Sequence, residues 1–219
     1  VKPWSHSALT SFEQCPKRYW HLNVAKDYAE PPSEALNWGS EVHKAMERRL
    51  KKGTPLPMGM AHYEELIYPL IGLPGELLVE QKLALDADLK PAEWYGDSVW
   101  CRVVVDAAFI KEPRAILIDW KTGKRKEDDD QLALMAATMF AINPRLDTIH
   151  SAFCWLQEKP ANAIARSSFR RDEIPELWNR FLPRVSVFQS AHQRTEFPPN
   201  PGGLCRRFCP VRSCPYHGG

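Results

Sequence analysis

Leu36, Gly39, Val42, His43, Met46, Glu47 and Leu50 recur three and four residues apart, the spacing of one helix face, and predict a helix over 35–50. Gly39 on that face leaves room for another element to approach closely. Upstream, 5–19 reads as a short helix capped by Ser7 or Thr10, and Pro31-Pro32 marks a loop. A loop holding Gly53, Pro55 and Pro57 precedes a short helix at 61–70. The pattern then changes to apolar runs bounded by turn residues, which predict strands at 77–85, 99–110 and 114–120. A charged loop at 124–130 leads into a helix at 131–142, closed by Pro144 before a fourth strand at 148–157 and a last helix at 175–188. This order predicts an α/β fold, a central mixed sheet flanked by helices.

A chain of 219 residues with 44% hydrophobic content can bury a full core. It fits one domain, 1–219, with 1–30 and 195–219 as an elaboration, better than two. No apolar run approaches the ~18 residues of a membrane span, and no basic-then-apolar leader precedes the first helix. The expectation is a soluble cytoplasmic protein without a membrane partner, in the host cytoplasm if phage-encoded. The net charge of +2 does not imply nucleic acid by itself. It is uneven, however: 161–219 holds nine Lys/Arg against four Asp/Glu, which suits a solvated face or a surface tracking phosphates.

Candidate chemistry gathers on the second and third strands. If they form a hairpin through Lys111-Glu112-Pro113, Asp106 and Asp119 can share a face, and Lys121 has the parity of Asp119. Carboxylates suit a hard divalent cation such as Mg²⁺ or Mn²⁺, which neutralises charge on a phosphate under in-line attack. A lysine beside them can orient the attacking water and offset phosphoryl charge. His43 shares a helix face with Gly39 and Glu47, so it could reach a metal while Glu47 orients it or pairs with a base. Glu80 and Gln131 are supporting candidates, each also readable as a surface polar residue. Tyr19, Trp20, Trp38 and Trp120 suit base stacking or core packing equally.

Cys101 and Cys154 lie in apolar runs and read as core residues. Cys205, Cys209 and Cys214 crowd into ten residues, and Cys15 could complete a four-thiol site. Such a site suits zinc or an iron–sulfur cluster, in a structural and not a catalytic role.

With Gly39-Ser40-Glu41-Val42-His43, Asp106, Asp119-Trp120-Lys121, Gln131-Leu132 and the four cysteines in this order, the chain resembles the PD-(D/E)XK nuclease superfamily. The resemblance is to the RecB-like branch of AddB nuclease domains, CRISPR-associated adaptation exonucleases and phage exonuclease relatives. It implies a restriction-endonuclease-like core and a metal site of His43, Asp106, Asp119 and the Trp120 carbonyl. Lys121 would be the signature lysine and Gln131 an organiser of the catalytic group. The four cysteines would hold a [4Fe-4S] cluster joining the termini, with zinc as the alternative. The implied activity is Mg²⁺- or Mn²⁺-dependent exonuclease action on DNA, preferring single strands, in recombination, repair or phage DNA metabolism. A recombination protein or helicase is the implied partner, since no helicase motif is present. The alternative is a catalytically weak DNA-binding or assembly subunit. The chain departs from the family in Asp119, where Glu is common, in Met135, where Tyr is common, and in its cysteine spacing.

Overall fold

Ser5 opens the first helix, α1 (His6–Gln14), because its extended backbone lets its hydroxyl accept the Ala8 N–H at 3.3 Å. The cap is therefore Ser5, and Ser7 and Thr10 lie inside the helix. The continuous helix expected over 5–19 breaks at Cys15, which is extended (φ −163°). Pro16 is the cause, since its ring disfavours helical geometry at the residue before it. The same proline suits the first turn of α2 (Pro16–Tyr19), which continues into a π-helical stretch, Trp20–Ala25. The computed structural model describes residues 2–126 and 128–219. Contacts divide the chain into two compact units, one of Ser33–Asn179 and one of Val1–Pro32 with Arg180–Gly219.

The Ser33–Asn179 unit begins with α3 (Glu34–Lys52), which ends at Gly53 in the left-handed conformation (φ 67°). Val42, Ala45 and Met46 bury its inner stripe against Ala107, Phe109, Ile118 and Trp120 of the sheet. The helix expected over 61–70 is composite: a 3-10 turn, Met58–Tyr63, then α4 (Glu64–Ile67), then a second 3-10 turn, Tyr68–Leu70. Pro69 prevents α4 from continuing.

Five strands follow: β1 (Glu76–Leu85), β2 (Cys101–Lys111), β3 (Arg114–Lys121), β4 (Thr148–Trp155) and β5 (Ile164–Arg170). They lie in sequence order, and all neighbours are antiparallel except β3 and β4. That parallel pair requires a crossover, which α5 (Asp130–Ile142) supplies. Its residues Leu132 to Phe140 are all buried, as expected of a helix that is apolar all round. The unit is an α/β restriction-endonuclease-like core, a mixed sheet with flanking helices. β5 was not expected from the sequence, because only Phe169 of its seven residues is buried.

Gly75, just before β1, has φ 120°, and a Cβ there would lie 2.3 Å from the Ile110 carbonyl oxygen. Gly75→Ala should therefore cost about 2–3 kcal/mol, combining left-handed strain with a backbone clash. Denaturant unfolding checks this; a loss of a few tenths would mean that the turn before β1 yields freely.

α6 (Ile174–Asn179) closes this unit, and α7 (Leu182–Arg194) belongs to the other. The single helix expected over 175–188 is thus two, with Pro183 in the first turn of the second. α7 buries Phe188 edge-on to Phe12 (5.2 Å between ring centroids) and Tyr19 (5.4 Å). The Tyr19 hydroxyl meets His192 Nε2 at 3.2 Å, and burial pushes its pKa up to about 12. No helix among the described residues is long and apolar enough to cross a membrane.

Candidate active site

The β2–β3 ladder stops at Ala107↔Ile118. Beyond that pair β2 continues beside β1 alone and β3 beside β4 alone, so Asp106 and Asp119 sit where the two strands part. The hairpin and shared parity expected from the sequence are present, and both aspartates are buried, at 6% and 5% exposure. The fork frees a main-chain donor, and the Trp120 N–H donates to Asp106 Oδ2 at 2.7 Å.

Asp119 is held from the other side. Gln131 Nε2, in the first turn of α5, donates to Asp119 Oδ1 at 2.5 Å, and Lys121 Nζ donates to Gln131 Oε1 at 2.8 Å. Lys121 Nζ also lies 2.7 Å from Asp119 Oδ2, an ion pair.

α3 brings the imidazole. A Cβ on Gly39 would lie 3.0 Å from Thr122 Oγ1, so the bare glycine lets α3 run close to the end of β3. One turn on, His43 Nδ1 is 3.3 Å from Asp106 Oδ1. Glu80 joins them: ligand atoms of His43, Glu80 and Asp106 all lie within 4.8 Å of one another. Glu80 reaches this position with a left-handed backbone (φ 54°) between the ladder pairs Val79↔Ala107 and Gln81↔Val105. For a residue with a Cβ that conformation is costly and marks a site where strain is retained. Glu47 lines the same cleft and pairs with Lys51 Nζ at 2.8 Å, so of its two expected roles the structure displays the pairing. Lys44 and Thr122 also line the cleft, although the sequence did not single them out. Lys44 is next to His43, but one period-3.6 stripe does not reveal a neighbour at the cleft mouth. Tyr19 and Trp120 are core side chains at 2% exposure, which leaves Trp120 only its main chain to offer.

Electrostatics at the fork favour a bound cation. Burial, then the neighbouring Asp106, pushes the Asp119 carboxyl up from 3.8 to about 6. Burial and Asp106 likewise raise Glu80 above the ordinary carboxylate range. His43 is raised by its hydrogen bond to Asp106, against the opposing effect of burial. A hard divalent cation fits the cluster of the His43 imidazole with the Glu80 and Asp106 carboxylates, with buried Asp119 next to it. A second acidic group, Asp128 to Asp130, is largely exposed where the preceding loop enters α5.

These three shifts have one sign. A group bound more tightly by protons in the folded state contributes stability that is complete below its unfolded pKa and is lost as pH rises through the folded pKa. Without metal, stability should fall as pH rises from about 4 through 6, by an amount of order 2 kcal/mol from Asp119. Asp119→Asn should flatten that fall and raise the metal-free melting temperature at pH 8, and added Mn²⁺ should stabilise wild type more at pH 8 than at pH 5. Thermal melts check both; equal Mn²⁺ shifts at the two pH values would argue against cation binding by these carboxylates.

The cysteines divide as expected. Cys101 and Cys154 are buried thiols whose pKa values are raised by burial, that of Cys154 to about 12. Cys15, Cys205, Cys209 and Cys214 line one small cavity in the other unit and are unpaired. Main-chain donors point at two of these sulfurs: the Arg18 and Asn200 N–H groups at Cys15 Sγ (3.5 and 3.4 Å) and the Gly202 N–H at Cys205 Sγ (3.5 Å). Among the described residues, no three of these sulfurs lie within 4.8 Å of one another as a ligand cluster would.

A family model of the PD-(D/E)XK nuclease superfamily matches residues 3–97, which include His43 and Glu80. No curated protein matches the sequence. Among solved structures, a candidate exonuclease from Eubacterium rectale is similar at 15% identity and TM-score 0.52, covering 93% of this chain and 85% of its own. The protein SSO0001 aligns at 12% identity and TM-score 0.48, over 99% of this chain and 89% of its own. Over residues 3–97, which carry α3 and β1, the chain is similar to the PD-(D/E)XK nuclease superfamily.

Proposed function

We propose that this protein is a divalent-metal-dependent nuclease that hydrolyses phosphodiester bonds of DNA. The observation carrying this reading is the fork itself, where buried Asp106 and Asp119 meet His43, Glu80 and Lys121. His43, Glu80, Asp106, Asp119 and the Trp120 carbonyl would hold Mg²⁺ or Mn²⁺, which supplies Lewis-acid stabilisation of phosphoryl charge and a more acidic water. Lys121, fixed between Asp119 and Gln131, faces the phosphoryl oxygens and offsets the charge that develops on them. Water forms the new P–O bond while the bridging oxygen leaves with its electron pair and takes up a proton. Gln131 bridges the pair, accepting from Lys121 Nζ and donating to Asp119 Oδ1.

The finer reading is an exonuclease of the RecB-like branch that acts on single-stranded ends in recombination, repair or phage DNA metabolism, beside a helicase or recombination protein in the cytoplasm. Residues 1–219 would act as one nuclease domain whose 1–30 and 195–219 segments carry a [4Fe-4S] cluster on Cys15, Cys205, Cys209 and Cys214, with zinc the alternative. The shared thiol cavity supports a metal group, and exposed Arg206, Arg207 and Arg212 beside it suit a phosphate backbone.

Protein purified without oxygen should degrade end-labelled linear DNA in Mg²⁺ or Mn²⁺, leave closed circles intact, and lose activity in Asp119→Ala. Cleavage of closed circles would replace the exonuclease reading with an endonuclease. DNA binding without cleavage under any metal would leave a binding or assembly subunit.

A further inference from the structure

We propose that Lys82, Trp94, Tyr95 and Arg102 form a subsite for single-stranded DNA beside the metal-facing fork, using phosphate contacts and base stacking. This rests on the nuclease reading above. The β1–β2 ladder continues past the fork: Lys82 is two residues beyond Glu80, and Arg102 is four residues before Asp106. At about 3.4 Å per residue, these side chains are rooted roughly 7 and 13 Å along the strands from the fork. That is the reach of the nucleotides next to a bond being cut.

The local chemistry is unusual for an ordinary solvated face. Lys82 pairs with Val104 and Arg102 with Ala84, so the two cations are diagonal neighbours, a placement that like charges disfavour. The Trp94 indole accommodates both, with Lys82 Nζ 5.7 Å and Arg102 Cζ 5.5 Å from its centroid. Arg102 Nε also donates to the Trp94 carbonyl at 3.0 Å, which fixes the connection that carries both aromatic residues. Neither cation makes an ion pair among the described residues, although Glu93 and Asp97 lie in the same connection. Tyr95 stands beside Lys82 (6.0 Å) and is 82% exposed.

Cations without an ion-pair partner, next to an open aromatic ring, attract a polyanion whose bases can stack. Paired bases in a duplex hide their faces, so the ring selects for a single strand. An acidic protein would satisfy the cations but would leave the exposed tyrosine ring without a base to stack on. Tyr95 is a binding residue here and touches no reacting atom.

The test uses fluorescent oligodeoxythymidylate, and a blunt duplex for comparison, measured by anisotropy in EDTA so that binding is read without cleavage. Tyr95→Ala should weaken oligodeoxythymidylate binding roughly tenfold while Tyr95→Phe retains it, as expected for loss of one stacked base. Lys82→Gln should reduce the slope of log affinity against log salt by about 0.7, one phosphate contact on a single strand. Duplex binding should stay unchanged in Tyr95→Ala. Wild-type affinity and salt slope in both Tyr95→Ala and Lys82→Gln would overturn the subsite. If wild type cleaves and these variants bind normally, the subsite alone fails; if they bind weakly but wild type cuts nothing, the nuclease reading alone fails. An equal loss of duplex binding would overturn the selection for single strands.

Discussion

Asp106→Asn should lower metal-dependent phosphodiester cleavage by roughly 10³-fold while leaving the fold intact. Asparagine keeps an oxygen to accept the Trp120 N–H, so the strand fork retains its internal hydrogen bond. What it loses is the charge shared with His43 and Glu80, the two other groups whose ligand atoms cluster with Asp106. Single-turnover cleavage and far-UV circular dichroism should therefore separate, with activity lost and helix and strand signal kept. Activity within tenfold of wild type would mean that Asp106 serves the fork as a main-chain acceptor only. The same variant should also lose most of the Mn²⁺-induced rise in melting temperature, because the cation would then face one carboxylate fewer.

Cys209→Ser or Cys15→Ser should strip the metal group from the four-thiol cavity and destabilise the unit that contains it. Cys15 and Cys205 are 190 residues apart (205 − 15), and tying them closes a loop of that length. Loop-closure entropy puts the stabilisation at about 5 kcal/mol, if the group constrains the unfolded chain as a crosslink would. A fall in melting temperature of about 10 °C or more should accompany loss of iron or zinc by elemental analysis. Cys101→Ala provides the control, since its thiol is a buried core group outside the cavity, and it should retain full metal content. Metal retained after loss of Cys209 would overturn the four-thiol site.

The parts of this molecule that sequence makes legible are those in which one face is buried. Val42 and Met46 mark α3 because their spacing repeats the helix, and Asp106 is conspicuous because it interrupts an apolar strand. Asp119 and Lys121 follow from period two and from the short hairpin that joins β2 to β3. β5 was illegible because it buries a single side chain at the sheet edge, so alternation barely registers. The break at Cys15 did carry a signal, Pro16, and the stronger helical pattern on either side masked it. Glu80 shows another limit: nothing in its type announces a left-handed backbone in the middle of a paired strand. Trp94 and Tyr95 lie in a polar connection, where periodicity carries no information about what they face.

In chain order, Ser33–Asn179 falls between the two segments of the other unit, which sets an order of events at the ribosome. The strands and helices of Ser33–Asn179 are complete before Arg180–Gly219 has been made. At about 5–20 residues per second, roughly 10–40 s separates the synthesis of Cys15 from that of Cys205. Through that interval the first thiol waits without its partners, open to oxidation or to a wrong metal. On the proposed four-thiol reading, delivery of the metal group is a late, post-synthetic step, and the yield of loaded protein from cells should track how well that first cysteine is kept reduced.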